Sequence, residues 1–263
     1  MDECTSGKFG WKFCFIGNRA LREGLSGGEG RCRARGKRGC ATMGANMAMT
    51  IALFGATGRT GRRVLQELLA RGHHVRALVR SAGKQGGVDL SRVTVVVGDA
   101  CDAQSVEQVV AGADAVISTL GVARGSPTDV VSRSMEALLP AMAWHGVRRV
   151  VALTGAGARL DGERGAWWED GVRGLLSLVA GPRLRDGQRM LDLVLASQTE
   201  WTVVRTQLQV DGDLPGALAV GTIGDPRAGW RVARRDLARF LVDCVEQWTY
   251  VRQAPVVWTT VIK

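Results

Sequence analysis

The run Thr50–Gly61, T-I-A-L-F-G-A-T-G-R-T-G, restricts this chain more than any other stretch. Ile51 to Phe54 are apolar and partly β-branched, the composition of a short strand buried on both faces, and glycines follow at 55, 58 and 61. Beyond them Val64, Leu65, Leu68 and Leu69 recur at three- and four-residue spacing, with Arg62, Arg63, Gln66, Glu67 and Arg71 on the other side. That periodicity predicts an amphipathic helix. A strand that passes into a helix through three glycines has a tight bend, a backbone that a ligand can approach, and free helix N–H groups aimed at a phosphate. Glycine-rich turns also serve as plain connectors. Here, however, His74 to Val79 read as a second strand at the distance that closes a right-handed β-α-β unit. The expectation is a mononucleotide-binding half.

The alternation continues. Residues 81–91 form a polar, glycine-containing loop, Val93 to Val97 a strand ending in Gly98-Asp99, and Asp102 opens a helix to about residue 111. A fourth strand over 113–118 ends in Thr119-Leu120-Gly121. Pro127 opens a long helix through Trp144 with a kink at Pro140, and a fifth strand over 147–153 ends in Thr154-Gly155. Strands alternating with helices predict an α/β doubly wound parallel sheet, the Rossmann fold. Further on, residues 157–181 are Gly-rich. Helices are expected over 184–197 and 236–247, the latter capped by Asp236, with Arg205 paired nearby. A sixth strand is expected over 200–205, a short strand and turn over 222–232, and a final strand over 255–261. These later pieces are expected to be a small C-terminal part of the same domain, 49–263, covering substrate at the carboxyl edge.

Residues 1–48 are rich in Gly and Arg without sustained periodicity. They read as a disordered extension, an organelle-targeting leader, or the result of a start codon placed too early, with Met43, Met47 or Met49 the true start. The net charge of +10 points less to an anionic partner than it first suggests. Residues 1–46 hold nine Lys/Arg against four Asp/Glu, half the excess, and no run of Lys/Arg interleaved with aromatics marks a nucleic-acid face. No apolar run reaches the roughly 18 to 20 residues that span a bilayer. The expectation is therefore a soluble, cytoplasmic chain without nucleic-acid or membrane partners, a monomer or weak homo-oligomer. Cys4, Cys14, Cys32 and Cys40 form no C-x-x-C pair, Cys101 and Cys244 stand alone, and His73, His74 and His145 read as structural, so no metal site is expected.

With G-A-T-G-R-T-G, the G-D at 98–99, T-L-G at 119–121, G-V-R-R-V-V at 146–151, E-W-T-V-V-R at 200–205 and D-L-A-R-F-L at 236–241, residues 50–260 resemble an atypical short-chain dehydrogenase/reductase. The likeness is to the NmrA-like, NAD(P)H-binding group, nearest the flavin reductase or biliverdin-IXβ reductase type. It implies a cofactor held by Gly55, Thr57, Gly58, Arg59, Thr60, Gly61, Asp99, Thr119, Leu120, Gly121 and Thr154. Enzymes that select NAD place an acid at the end of the second strand to bond the ribose 2′-OH. Here no carboxylate lies between Glu67 and Asp89, while Arg59, Arg80, Ser81 and Lys84 can surround a 2′-phosphate. NADPH is the expected cofactor.

Carbonyl reduction by a Tyr-x-x-x-Lys pair is excluded, since Tyr250 is the only tyrosine and no lysine occurs between Lys84 and Lys263. The flavin reductase-like group manages without that pair, which implies hydride transfer to a planar acceptor such as a flavin, quinone or tetrapyrrole. The alternative is a non-catalytic NADP(H)-binding regulator or scaffold. Two departures from the group stand out: Gly155 replaces its serine, and Met190, Leu191 and Asp192 stand where it has a histidine. Thr154 is the one catalytic candidate, and Trp167 and Trp168 offer either an aromatic wall for a flat substrate or a lid on the core.

Overall fold

The computed structural model describes residues 48–81, 93–123, 125–164 and 167–260, with backbone only for 167–170 and 172–180. The leader and Lys84 therefore lie outside the described residues, as do the side chains of Trp167 and Trp168.

In chain order the elements are β1 (Thr50–Phe54), α1 (Arg59–Ala70), β2 (His74–Val79), β3 (Val93–Val97), α2 (Ala103–Val110), β4 (Ala115–Ser118), α3 (Val130–Trp144) and β5 (Arg149–Gly155). They continue with α4 (Trp167–Ala196), β6 (Glu200–Thr206), β7 (Leu208–Val210), β8 (Leu218–Gly221), β9 (Arg231–Ala233), α5 (Arg234–Glu246) and β10 (Val256–Thr259). The main sheet runs β3-β2-β1-β4-β5-β6-β10-β8, and every pairing in it is parallel except β10 with β8. The chain starts in the middle and winds outward in both directions. That reversal between β1 and β4 opens a crevice at the carboxyl ends of the strands.

Alternate residues of β1 explain why helices cover both faces. Ile51 and Leu53 point to one side, where they pack with Val64 and Leu68 of α1 and Leu237 and Leu241 of α5. Ala52 and Phe54 point to the other, into a cluster with Val106 of α2, Met135 and Leu138 of α3, and Met190 and Leu191 of α4. The sheet is thus a doubly wound α/β layer with a core on each side.

Several boundaries differ from expectation, each for a physical reason. α4 begins at Trp167 instead of residue 184 and runs through Gly171, Gly181 and Pro182, whose low helix propensity hides that stretch from a reading of sequence. α3 begins at Val130, not Pro127. α5 begins at Arg234 with Ala233 at its N-cap, so Asp236 lies within the first turn and is no cap. The expected strand over 222–232 resolves into β8 before it and β9 at its end, and the three-residue β7, too short for any period to register, pairs in parallel with β9. Arg205 is fully buried and does pair nearby, with Glu163.

Candidate cofactor-binding site

The glycines of the first turn do different jobs. Gly55 has φ of +81°, the left-handed region that glycine reaches without strain. Thr119, at the end of β4, ties that turn down: its N–H donates to the Phe54 carbonyl at 3.0 Å, and its hydroxyl donates to the same carbonyl at 3.1 Å. A Cβ on Gly61 would stand 2.0 Å from the Gly55 carbonyl oxygen, so this glycine lets α1 close onto the strand. Gly58 is extended, with φ −71°, so the turn's left-handed residue is Gly55 and not Gly58. A Cβ on it would be 3.2 Å from the Gly55 oxygen.

Three helices begin near this edge, and their first-turn N–H groups are all candidates for an anion. At α2 the place is taken by Asp102, whose carboxylate accepts from Ser105 N at 2.8 Å and from the Ser105 hydroxyl at 2.6 Å. Those bonds hold its carboxyl below the usual carboxylate range. At α3 it is taken by Asp186, reaching over from α4: its buried carboxylate accepts from Val131 N at 3.1 Å and Ser132 N at 2.8 Å. Only α1 has neither a capping side chain nor an acid in its first turn. A phosphate entering here is directed to α1.

Beside that open terminus lies a cavity of about 410 Å³. Of the residues expected at the cofactor, Gly55, Thr57, Gly58, Arg80, Asp99, Thr119, Leu120 and Gly121 line it. A Cβ on Gly121 would meet nothing within 4 Å, so the space above it is open. Arg59 and Ser81 are exposed beside the cavity elements but do not line it. Thr60 and Gly61 are buried in the first turn of α1 and do not line the cavity; the Thr60 hydroxyl donates to Gln209 Oε1 at 2.6 Å, fastening α1 to β7, and their backbone N–H groups belong to the uncapped terminus. Thr154 does not line the cavity either, and its hydroxyl sits where a Cβ on Gly187 of α4 would come within 2.9 Å.

The cavity also takes in residues that sequence reasoning missed: Ala100, Cys101, Asp102, Ala123, Ser126, Pro127, Val130 and Arg133. Val130 and Arg133 are one turn apart on α3, a spacing that would have paired them had the helix start been placed at 130. Burial and the Asp99 charge push the Cys101 thiol up, with Arg133 acting against them. A raised thiol holds less of the nucleophilic thiolate.

Away from the cavity, the buried Arg205 guanidinium donates to both Glu163 oxygens and to the carbonyls of Ala158 and Ala254. The pair clasps the segment after β5 onto β6 and β10. Tyr250 packs on Phe240 at 5.4 Å between ring centroids, and burial pushes its hydroxyl pKa up, which suits it to packing and not to proton donation. His73 is structural as expected: buried, it accepts from Met49 N through Nδ1 and faces Glu246 through Nε2 at 2.6 Å. Among the described residues no group of three or more His, Cys, Asp or Glu is placed to hold a metal ion, and no helix is long and apolar enough to cross a membrane.

Comparison with known proteins agrees with this geometry. Structures of the same fold include the anaerobillin reductase ChuY from Escherichia coli O157:H7, 22% identical, with a TM-score of 0.67 over 81% of this chain and 98% of that one. A wide-type short-chain dehydrogenase/reductase from Veillonella parvula DSM 2008, solved in complex with NADP, is 19% identical with a TM-score of 0.67 over 81% and 95%. The oxidoreductase ylbE from Lactococcus lactis is 16% identical with a TM-score of 0.65 over 81% and 92%. A family model described as NAD(P)H-binding matches residues 55–247, from the first glycine of the turn to the end of α5. A doubly wound sheet, an uncapped α1 beside a cavity at the strand reversal, and that match all lead to one conclusion: the chain belongs to the NAD(P)H-binding family.

Proposed function

We propose that this protein is an NADPH-dependent oxidoreductase that passes hydride to a planar acceptor such as a flavin, quinone or tetrapyrrole. The observation that carries the cofactor choice is Arg80. It follows the last residue of β2 and lines the cavity, and in sequence no carboxylate lies between Glu67 and Asp89, the stretch in which an NAD-selective chain places its acid for the ribose 2′-OH. A guanidinium there favours a 2′-phosphate through charge-assisted hydrogen bonds. The nicotinamide supplies the hydride when the cofactor is bound. The chain contributes the open α1 N-terminus for the pyrophosphate, the Thr57 hydroxyl within the same turn, and Asp99 and Leu120 at the far wall. The acceptor class rests on the missing Tyr-x-x-x-Lys pair, because a conjugated acceptor can take its proton from solvent. ChuY, named for reduction of anaerobillin, supports it by analogy of fold.

A second reading, an NADP(H)-binding protein without turnover, is favoured by one feature. Thr154, the one catalytic candidate from the sequence, lies outside the cavity lining with its hydroxyl against Gly187, and a Cβ on Gly155 would meet nothing within 4 Å, so the place where the resembled group has a serine is open. Steady-state oxidation of NADPH with a panel of flavins, quinones and tetrapyrroles decides between them. Turnover with any member supports the oxidoreductase; tight NADPH binding without turnover replaces it with the second reading.

A further inference from the structure

The cavity beside the glycine turn is walled by two guanidinium groups that engage no hydrogen bond or ion pair among the described residues, and the proposed function uses only Arg80. The other is Arg133, one turn into α3. Its placement is not left to a loose helix end. The first turn of α3 is held from α4 by Asp186, which accepts from Val131 N and Ser132 N. Arg133 is therefore presented to the cavity by a fixed backbone.

Its surroundings decide what it can recognise. Asp99, Asp102 and Asp129 lie at this end, and Asp99 and Asp129 both push the neighbouring Cys101 thiol up while Arg133 alone opposes them. A second phosphate would meet three carboxylates against one guanidinium. The wall between them is apolar, made by Leu78, Ala100, Leu120 and Val130. Asp99 accepts from the Cys101 N–H at 2.8 Å through one carboxylate oxygen and also meets the Cys101 thiol, and the several lone pairs of a carboxylate still provide an acceptor for a donor on the ligand. Apolar walls, a spare acceptor and an unengaged planar cation suit a neutral, flat, amino-bearing heterocycle.

We propose that Arg133 is the base-recognition residue of this site, its guanidinium stacked on the adenine ring of the dinucleotide while Arg80 takes the 2′-phosphate. The inference rests on the cofactor reading above and adds a division of labour to it: Arg133 acts on every adenine dinucleotide, Arg80 only on the phosphorylated one. A lysine cannot replace Arg133, because an ammonium has no plane to stack.

Isothermal titration of the full chain with NADPH, NADH, 2′,5′-ADP and reduced nicotinamide mononucleotide, which has no adenine, tests this. Arg133→Ala is expected to weaken NADPH, NADH and 2′,5′-ADP alike by about tenfold and to leave the mononucleotide unchanged. Arg133→Lys should recover less than about threefold of that loss. Arg80→Ala should weaken NADPH and 2′,5′-ADP and spare NADH. Since Arg133 is exposed and engages no described residue, melting temperature should not move. Loss of NADPH affinity with NADH untouched would make Arg133 a phosphate ligand and overturn the proposal. So would equal binding by Arg133→Ala and the parent, with the proposed function still standing. A parent that binds neither dinucleotide would remove both.

Discussion

Gly58 and Gly61 stand three positions apart in one turn, yet a side chain on each would meet different things. On Gly61 it collides with the Gly55 carbonyl at 2.0 Å; on Gly58, which lines the cavity and has an ordinary φ, it stands in a tight but relievable contact at 3.2 Å from the same oxygen. We therefore expect Gly61→Ala to cost about 3 kcal/mol of stability as an overpacked backbone contact. Gly58→Val should melt within a few degrees of the parent and bind NADPH at least about tenfold more weakly. Thermal melts and titrations on the same samples check both, and a Gly58→Val protein that binds normally would refute the phosphate cradle. Glu163 makes a second case. Burial pushes its carboxyl up, but the Arg205 hydrogen bonds, the Leu160 N–H and the Arg205 and Arg159 charges outweigh that and hold it below the usual carboxylate range. A depressed folded-state pKa gives stability that is complete above the unfolded value, near pH 4.3, and lost as pH falls through the folded value. Denaturation midpoints should therefore drop in that acid window for the parent, and that part of the drop should vanish in Glu163→Gln. At neutral pH Glu163→Gln should be less stable by about 3 kcal/mol, since it leaves the Arg205 charge buried without its partner.

At the scale of elements, α3 depends on a residue more than fifty positions away. Asp186 satisfies two buried N–H groups at its start, so Asp186→Ala should lower stability by about 2 kcal/mol, with Asp186→Asn recovering part through its one remaining oxygen. Urea titrations of the three proteins read this directly. The example also marks where the sequence was legible. β1, α1 and β2 could be read because apolar period, glycine spacing and strand length are local signals, and Arg80 followed from where β2 ends. The cavity residues Thr57, Asp99, Thr119 and Gly121 were placed because each sits at a strand's carboxyl end, where the topology sends a ligand. Arg133 was not, since its helix starts at a cap supplied from α4, and no local pattern announces a cap across 55 residues. Position alone did not give the direction of the Thr60 and Thr154 hydroxyls, which turn to Gln209 and toward Gly187. Which way a side chain faces was settled by packing partners remote in sequence.

For the molecule as a whole, the sheet is anchored at its centre by the residues just ahead of β1. Met49 N donates to the buried His73 Nδ1 at 3.1 Å, its carbonyl accepts from His74 N, and Thr50 N donates to Asp114 at 2.7 Å. A chain beginning at Met47 keeps all three bonds and is expected to melt within about 2 °C of the full chain and to bind NADPH equally. One beginning at Ile51 leaves the buried His73 acceptor open and should lose about 2 kcal/mol. Calorimetry on the two shortened chains decides it; a Met47 form that aggregates would bring the leader into the domain. The other side of the sheet carries a consequence in time. β10 lies between β6 and β8, so among the described residues β8 gains its one neighbour in that sheet when residues 256–259 arrive. During synthesis from the N-terminus, the glycine turn and the crevice beside it can form early, while β8 must wait as a bare strand edge, open to capture by another nascent copy. The same wait applies to the face that β1 shares with α1, whose apolar cover Leu237 and Leu241 arrives with α5, so the C-terminal elements α5 and β10 close both the sheet and one of its two cores.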